Sequence, residues 1–155
     1  MQRTIGHLLV LFAVFTIGYG LGRDNGLHRA TTNSSPPPPH LNGSNRVVVT
    51  YFHTTFRCPT CNAIERLANQ LVVQDYAGQL ARGAIEWQTI NFQERDDLAR
   101  RYELAAGAIV VAKIQDDKEV AFQRLDDVWT LYDKPEQFKR YLENVVNAYL
   151  RELNL

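Results

Sequence analysis

The hydrophobic and polar positions divide the chain into three segments of different character. The first is a stretch of 19 residues from Thr4 to Gly22 that carries no formal charge and is apolar through its centre. At 1.5 Å of rise per residue, a helix of this length is roughly 28 Å long, close to the hydrocarbon thickness of a bilayer. A buried core helix would carry a polar face, and this stretch has almost none. The pattern therefore predicts one transmembrane helix over residues 4–22.

A cleaved signal peptide is the alternative for this N-terminal stretch. Arg3 supplies a positive start, and Gly18, Gly20 and Gly22 place small residues where cleavage would occur. An alanine-type cleavage signature is missing, however, and the stretch exceeds the usual apolar core of a signal peptide. Both facts favour an uncleaved signal-anchor over residues 1–23. With its short N-terminus in the cytoplasm, the protein would be a single-pass membrane protein whose C-terminal domain is extracytoplasmic.

Residues 24–45 contain almost nothing that a folded core could bury. Four consecutive prolines, Pro36 to Pro39, favour polyproline II, a semi-rigid spacer of about 3.1 Å per residue. The Ser, Asn and Gly residues on either side favour flexibility. A proline-rich ligand for a recognition domain is the alternative, but spacing beside a membrane anchor already accounts for the composition. We interpret residues 24–45 as a linker.

The remaining residues, 46–155, alternate between strand and helix periodicity. Seven segments are predicted, some as short runs of β-branched and aromatic residues and some from their period, and they lie in chain order at 46–52, 61–74, 85–92, 94–102, 108–112, 119–122 and from Pro135 onwards. The last segment is strongly amphipathic, and its stripe of apolar residues is typical of core packing. Asp116-Asp117-Lys118 predicts a hairpin turn between the last two strands.

The order of these segments, β-α-β-α-β-β-α, predicts an α/β fold in which helices flank a central mixed sheet. The two βα units give parallel strands, and the late hairpin adds antiparallel strands to the same sheet. The final helix is expected to cover this sheet. The domain organisation is therefore one membrane helix, one linker and one folded domain over residues 46–155.

Charge and cysteine content restrict the function further. The 155 residues carry 17 Lys and Arg against 17 Asp and Glu, and residues 46–155 alone have a net charge of −2. Nucleic-acid binding needs an excess of Lys and Arg gathered on one face, so this balance argues against it. Two cysteines are too few for a disulfide-stapled mini-protein, a four-cysteine zinc site or an iron–sulfur cluster within one chain.

Both cysteines lie in one motif, Cys58-Pro59-Thr60-Cys61, between the first predicted strand and the first predicted helix. A helix N-terminus presents unpaired N–H groups and a partial positive charge that stabilise a thiolate, and Arg57 acts in the same direction. We therefore predict that Cys58 is the attacking thiolate in thiol–disulfide exchange and that Cys61 is the resolving thiol. Arg57, Pro59 and Thr60 are supporting residues. The expected partner is a dithiol or disulfide of another exported protein.

Three other interpretations of the motif stay open. A structural disulfide is one, although closing so short a loop constrains the unfolded chain little. Copper or zinc binding and delivery by Cys58, Cys61 and His53 is another; zinc normally takes four ligands and copper(I) accepts two soft ones, so copper fits better. A non-catalytic subunit is the third. For exchange itself we expect no cofactor.

Residues 46–152 resemble the thioredoxin-like superfamily. The resemblance rests on the strand–CxxC–helix unit, the βα unit that follows, the ββα ending and Tyr51-Phe52-His53 before the motif. It implies a thioredoxin-like fold and two-electron exchange between Cys58 and Cys61 and a protein partner.

A narrower resemblance involves the run from Tyr51 to Cys61, Ile64-Glu65 and Val128-Trp129 ahead of the final helix. These residues resemble the small, membrane-anchored "nitrophenyl compound nitroreductase subunit ArsF" family. The family name implies an association with nitro-compound or arsenic genes. The chain has no flavin-binding signature of its own, so we do not extend a nitroreductase activity to it.

The chain departs from the thioredoxin pattern at three positions. Arg57 stands where thioredoxins carry a tryptophan, and no proline occurs near Gly107-Ala108, where they have a cis-proline facing the motif. The resemblance implies that this proline shapes the substrate groove and hinders metal capture, so its absence keeps the metal alternative open. The buried carboxylate of the thioredoxin first strand has no match either. Proton transfer from Cys61 would then use His53, Glu65 or water.

Overall fold

The computed structural model describes residues 45–155. The predicted transmembrane helix at residues 4–22 and the linker before residue 45 lie outside this part of the chain. Among the described residues, every helix falls short of the length and apolarity that a membrane crossing requires. The signal-anchor and its orientation therefore stay predictions.

A four-stranded mixed sheet forms the centre of the described region. Its strands are β1 (Arg46–His53), β2 (Ile85–Asn91), β3 (Ala108–Gln115) and β4 (Lys118–Leu125). They lie side by side in the order β2-β1-β3-β4. β1 pairs parallel with β2 and antiparallel with β3, and β4 pairs antiparallel with β3. The mixed sheet and the directions of its strands, predicted from the order of the elements, are confirmed.

Five α-helices connect and cover these strands within residues 45–155. They are α1 (Pro59–Asp75), α2 (Ala77–Ala81), α3 (Asp96–Arg101), α4 (Val128–Leu131) and α5 (Pro135–Glu152). The sequence did not predict α2 and α4, because helices of five and four residues are too short to show a 3.6-residue period. Pro135 occupies the first turn of α5, as its fixed φ and missing N–H favour.

The helix predicted over residues 94–102 is shorter in the structure. A single 3₁₀ turn at Phe92–Glu94 comes first, and Asn91 caps it by accepting a hydrogen bond from the N–H of Gln93. Arg95 then adopts φ −135°, which lies outside the helical region and delays the start of α3 to Asp96. The prediction of a helix from Glu94 is therefore wrong at its N-terminal end.

The alternation of side chains along β1 divides the core into two clusters. Val47, Val49 and Tyr51 face the larger cluster, which α1 and α5 cover with Ile64, Leu71, Leu142 and Val146 among others. Phe52 faces the opposite side, where it packs with Phe92, Tyr102 and Val110 beneath α3. Side chains on both faces of the sheet thus hold the last residues of β1 in place. The loop that leads to the cysteine motif follows them.

The two ends of β1 differ in what surrounds them. At its start, the Arg46 guanidinium binds Glu86 at 3.1 Å and Asp117 at 2.9 Å. Asp117 belongs to the predicted hairpin turn, in which Asp116 and Asp117 both have positive φ, 51° and 58°, as a type I′ turn requires. At its other end, about 26 Å away for an eight-residue strand, β1 leads into the cysteine motif.

Candidate active site

The Cys58–Cys61 motif occupies the junction between β1 and α1. Cys58 is the N-cap of α1, with an extended backbone (φ −81°, ψ 163°), and its Sγ accepts a hydrogen bond from the N–H of Cys61 at 3.1 Å. Pro59 fills the first helical position, where a missing N–H has no cost. The helix thus begins at Pro59, two residues earlier than predicted. Both cysteines consequently lie at its positive end.

The two cysteines form a disulfide, with their Cα atoms 5.1 Å apart. Cys58 is exposed, whereas Cys61 is half-buried. An external thiolate therefore reaches the sulfur of Cys58 more easily, and Cys61 is the leaving group in that reaction. This is the arrangement that the predicted roles of Cys58 and Cys61 require.

The N-terminus of α1 favours negative charge on Cys58 once the disulfide is reduced. The Cys61 N–H already points at Sγ, and the first turn of this 17-residue helix contains no acidic residue that would offset its positive end. Hydrogen bonds and a helix dipole of this kind lower the pKa of a cysteine. The geometry thus suits Cys58 as a thiolate nucleophile.

Tyr51 lies directly beneath the motif, a position for which the sequence suggested no role. Its side chain is fully buried, and its hydroxyl donates a hydrogen bond to the carbonyl oxygen of Cys61 at 2.9 Å. Burial and the negative charge of Glu65 raise the pKa of Tyr51 to about 12, against a smaller opposing effect of Arg57. The hydroxyl therefore stays protonated at neutral pH. A neutral phenol supports the motif from within the core.

A sequence signal for Tyr51 does exist. It follows Val47 and Val49 at the period of two that marks inward positions of a strand, and it is the last fully buried residue of this series, since His53 is half-buried. A polar group at a buried position needs a hydrogen-bond partner. The segment that follows the strand contains the motif, so its backbone is a candidate partner for the Tyr51 hydroxyl.

Arg57 and Glu65 form an ion pair beside the motif. Arg57 Nη1 donates to Glu65 Oε2, and the two side chains are 30% and 24% exposed. Residues seven apart lie on one face of a helix, so Glu65 shares its face of α1 with Cys58. The structure thus brings two of the predicted supporting residues together. Glu65 is bound to Arg57 and does not stand alone as a proton acceptor.

His53 is the last residue of β1 and is half-buried. Its Nδ1 lies 3.0 Å from the carbonyl oxygen of Thr54, so Nδ1 carries the proton in this hydrogen bond. Its ring centroid is 6.3 Å from that of Tyr51. Within residues 45–155, His, Cys, Asp and Glu side chains form no group of three arranged to hold a metal ion. The structure therefore does not gather His53, Cys58 and Cys61 into one ligand set.

The loop before the motif holds Phe56 in solvent, where its side chain is 90% exposed. Side-chain hydrogen bonds fix this loop. Thr54 Oγ1 donates to the Phe56 carbonyl at 2.7 Å, the Thr55 N–H donates to Gln93 at 2.8 Å, and Asn91 donates to Thr55 Oγ1 at 3.0 Å. The loop is thereby tied to the end of β2. An aromatic side chain is presented two residues before the exposed cysteine.

Gly107, in the loop before β3, lies against the floor of the site. A Cβ at this residue would lie 3.1 Å from the carbonyl oxygen of Phe52 and 3.5 Å from the hydroxyl of Tyr51. The Trp129 indole also lies beside Gly107, and its Nε1 donates a hydrogen bond to the Gly107 carbonyl at 2.9 Å. A side chain at this position would press against the backbone of β1, so the close approach favours glycine. Trp129, one of the residues that carried the narrower resemblance, thus acts by holding this loop.

No family model matches the chain, and no curated protein sequence matches it. Among solved structures, it is similar to mitochondrial thioredoxin 3 of Saccharomyces cerevisiae in its oxidised form, with 18% identity, a TM-score of 0.43, and 67% of this chain and 79% of that chain covered. Thioredoxin of Trypanosoma brucei brucei has 13% identity and a TM-score of 0.40, with 66% and 76% covered. Thioredoxin of Fasciola hepatica has 19% identity and a TM-score of 0.37, with 60% and 81% covered.

The order and direction of the strands, together with the CxxC motif at the β1–α1 junction, assign the fold as α/β and thioredoxin-like. The narrower resemblance to the nitroreductase-subunit family finds no support among these matches.

Proposed function

We propose that the protein is a membrane-tethered thiol–disulfide oxidoreductase that exchanges disulfides with an exported protein through Cys58 and Cys61. One observation carries the proposal: Cys58 is an exposed helix N-cap whose Sγ is disulfide-bonded to Cys61 and receives the Cys61 N–H. A structural disulfide does not require an exposed sulfur at the positive end of a helix. A thiolate nucleophile benefits from both features.

The exchange proceeds in two balanced steps. When the motif is oxidised, a partner thiolate attacks Cys58 Sγ, the Cys58–Cys61 bond breaks, and Cys61 leaves as a thiolate that takes up a proton. The second partner thiolate then attacks the partner sulfur of the mixed disulfide and releases Cys58 as a thiolate. The partner has lost two electrons and the motif has gained them. In the reducing direction, Cys58 attacks a partner disulfide and Cys61 resolves the intermediate.

The surroundings of the motif favour a protein as the partner. Phe56 offers an apolar contact beside Cys58, and its loop is held in place by hydrogen bonds to β2 residues and the turn that follows. A small polar disulfide has no use for such a contact. A polypeptide with an apolar residue near its cysteine gains from it.

The membrane tether is part of the proposal. It is supported by the uncharged stretch at residues 4–22 and by the linker at 24–45. β1 begins at Arg46, next to that linker, and the motif follows its opposite end. A reporter that functions on only one side of the membrane, fused to the C-terminus, tests the orientation; activity in the cytoplasm would contradict it.

A trapping experiment tests the exchange activity. In cells that express the full chain with Cys61→Ser, the mixed disulfide at Cys58 cannot be resolved, so we expect a partner linked to the protein by a bond that dithiothreitol cleaves. The matched control is the double variant with Cys58→Ser, which should trap nothing. Absence of an adduct under both oxidising and reducing growth conditions would contradict the proposal.

A further inference from the structure

The ion pair of Arg57 and Glu65 lies where it can act on the motif. Arg57 is bonded directly to Cys58 through the backbone, and Glu65 lies on the same face of α1. Both charges also act on the buried hydroxyl of Tyr51, in opposite directions, and this hydroxyl binds the carbonyl of Cys61. The covalent neighbour, the helix face and the shared tyrosine therefore all place the pair beside the two cysteines.

Reduction changes the charge next to this pair. The disulfide is neutral, and it takes up two electrons and one proton to give the Cys58 thiolate and the Cys61 thiol. In the oxidised structure Arg57 binds one carboxylate, that of Glu65. After reduction, a second anion has formed at the adjacent residue. One guanidinium then has two anionic neighbours, and contact with one weakens its contact with the other.

We infer that Glu65 is a positioning residue that holds Arg57 away from the Cys58 thiolate and thereby makes the reduction potential of the motif more negative. The inference rests on the proposed function. By binding Arg57 in the oxidised state, Glu65 stabilises the disulfide relative to the thiolate. Without Glu65, the guanidinium is free to stabilise the thiolate, and the reduced state gains population.

The test measures the equilibrium of the motif with glutathione, using the full chain in detergent micelles. The reduced fraction is counted by thiol alkylation across a series of glutathione redox buffers. For Glu65→Gln, we expect the equilibrium to move about tenfold towards the reduced state, which is about 30 mV for this two-electron couple. All measurements use one pH, so that the protonation of glutathione is the same for every variant.

The substitution Arg57→Gln distinguishes a positioning role of Glu65 from independent effects of the two charges on the redox equilibrium of the motif. In the wild-type background we expect Arg57→Gln to shift the equilibrium by about threefold or less, because Glu65 already occupies the guanidinium. In the Glu65→Gln background, Arg57→Gln should reverse the gain of about tenfold in the reduced state that Glu65→Gln produces. Independent charges would give equal shifts in both backgrounds, so the coupling between the two sites is the signature of the inference.

A similar ion pair at the far end of β1 provides the control. Arg46 and Glu86 are in contact at 3.1 Å, and Arg46→Gln or Glu86→Gln should leave the equilibrium with glutathione unchanged. Equal Arg57→Gln shifts in both backgrounds, or no shift on Glu65→Gln, would overturn the inference and leave the proposed function standing. A wild-type disulfide that never equilibrates with glutathione would overturn both.

Discussion

An arginine–carboxylate ion pair lies near each end of β1, but only one end leads into the cysteine motif. At the start of the strand, Arg46 is bound by Glu86 and Asp117, and a tight turn closes the sheet. At its end, Arg57 is also bound by a carboxylate, but it is followed by an exposed disulfide, an exposed Phe56 and a glycine pressed against the strand. An ion pair alone therefore does not mark a functional site.

The difference lies in groups whose placement folding alone does not require. Phe56 is left in water, although burial of a phenylalanine would stabilise the fold by roughly 1.5–3 kcal/mol. The hydroxyl of Tyr51 is buried, although a phenylalanine there would need no hydrogen-bond partner. Such features occur together at the cysteine end of β1. Substitutions at these positions can therefore be compared with matched substitutions elsewhere in the domain.

The largest effect on folding is expected at Gly107. Gly107→Ala places a methyl group 3.1 Å from the backbone carbonyl of Phe52 and close to the Tyr51 hydroxyl, and a backbone atom has little room to move. We expect a loss of about 1–3 kcal/mol in the free energy of unfolding, measured in urea. Gly78→Ala is the matched control, because its methyl group meets only the end of the Arg82 side chain at 3.7 Å.

Gly78 lies inside α2, where alanine is favoured over glycine, so its replacement should stabilise the domain by up to about 1 kcal/mol. Equal effects of the two substitutions would contradict the close packing of the loop before β3 against the floor of the site.

A smaller effect is expected at the two buried tyrosines of the larger cluster. Tyr51→Phe and Tyr76→Phe each remove one hydroxyl that donates a hydrogen bond at 2.9 Å, to the Cys61 carbonyl and to the Asn147 side chain respectively. Each substitution should lower the free energy of unfolding by about 1 kcal/mol at pH 8. Only Tyr51→Phe should also change the rate of exchange with a disulfide substrate, because only Tyr51 contacts the motif.

The pH dependence of this loss has a definite sign. Burial is the main cause that raises the pKa of both tyrosines from 10 to about 12. Each neutral hydroxyl therefore contributes stability that is complete below pH 10 and is lost as the pH rises towards 12. The difference between wild type and each Phe variant should shrink over this window. A constant difference between pH 8 and pH 11 would contradict the burial of the two hydroxyls.

The sequence predicted the elements of the fold better than the contacts within the site. β1 is a continuous run of β-branched and aromatic residues and α5 is long and strongly periodic, so local patterns sufficed, and the CxxC motif identified the junction of β1 and α1. The approach of Gly107 to Tyr51 joins residues more than fifty positions apart. It depends on how β3 docks against β1, which local periodicity does not encode.

The ion pair of Arg57 and Glu65 could be predicted from the sequence only in part. The spacing of seven residues between Cys58 and Glu65 indicated a common helix face once the helix start was known. The sequence placed that start at Cys61, however, because Pro59 was not recognised as the first helical residue. Which partner the Arg57 side chain selects is then a matter of rotamers and charge, and these require the three-dimensional structure.

The smallest effect is expected at Phe56, and it concerns the choice of partner. Because this side chain is 90% exposed, Phe56→Ser should leave the free energy of unfolding nearly unchanged. With a protein disulfide such as insulin, we expect the rate of exchange to fall about three- to tenfold, the effect of losing one apolar contact of 0.7–1.4 kcal/mol. With glutathione disulfide, which offers no apolar side chain, the rate should stay the same. Phe122→Ser, on the edge strand β4 and 42% exposed, is the control and should alter neither rate. Equal losses with both substrates would mean that Phe56 acts on the chemistry of the motif, and no loss with either would show that partners bind elsewhere.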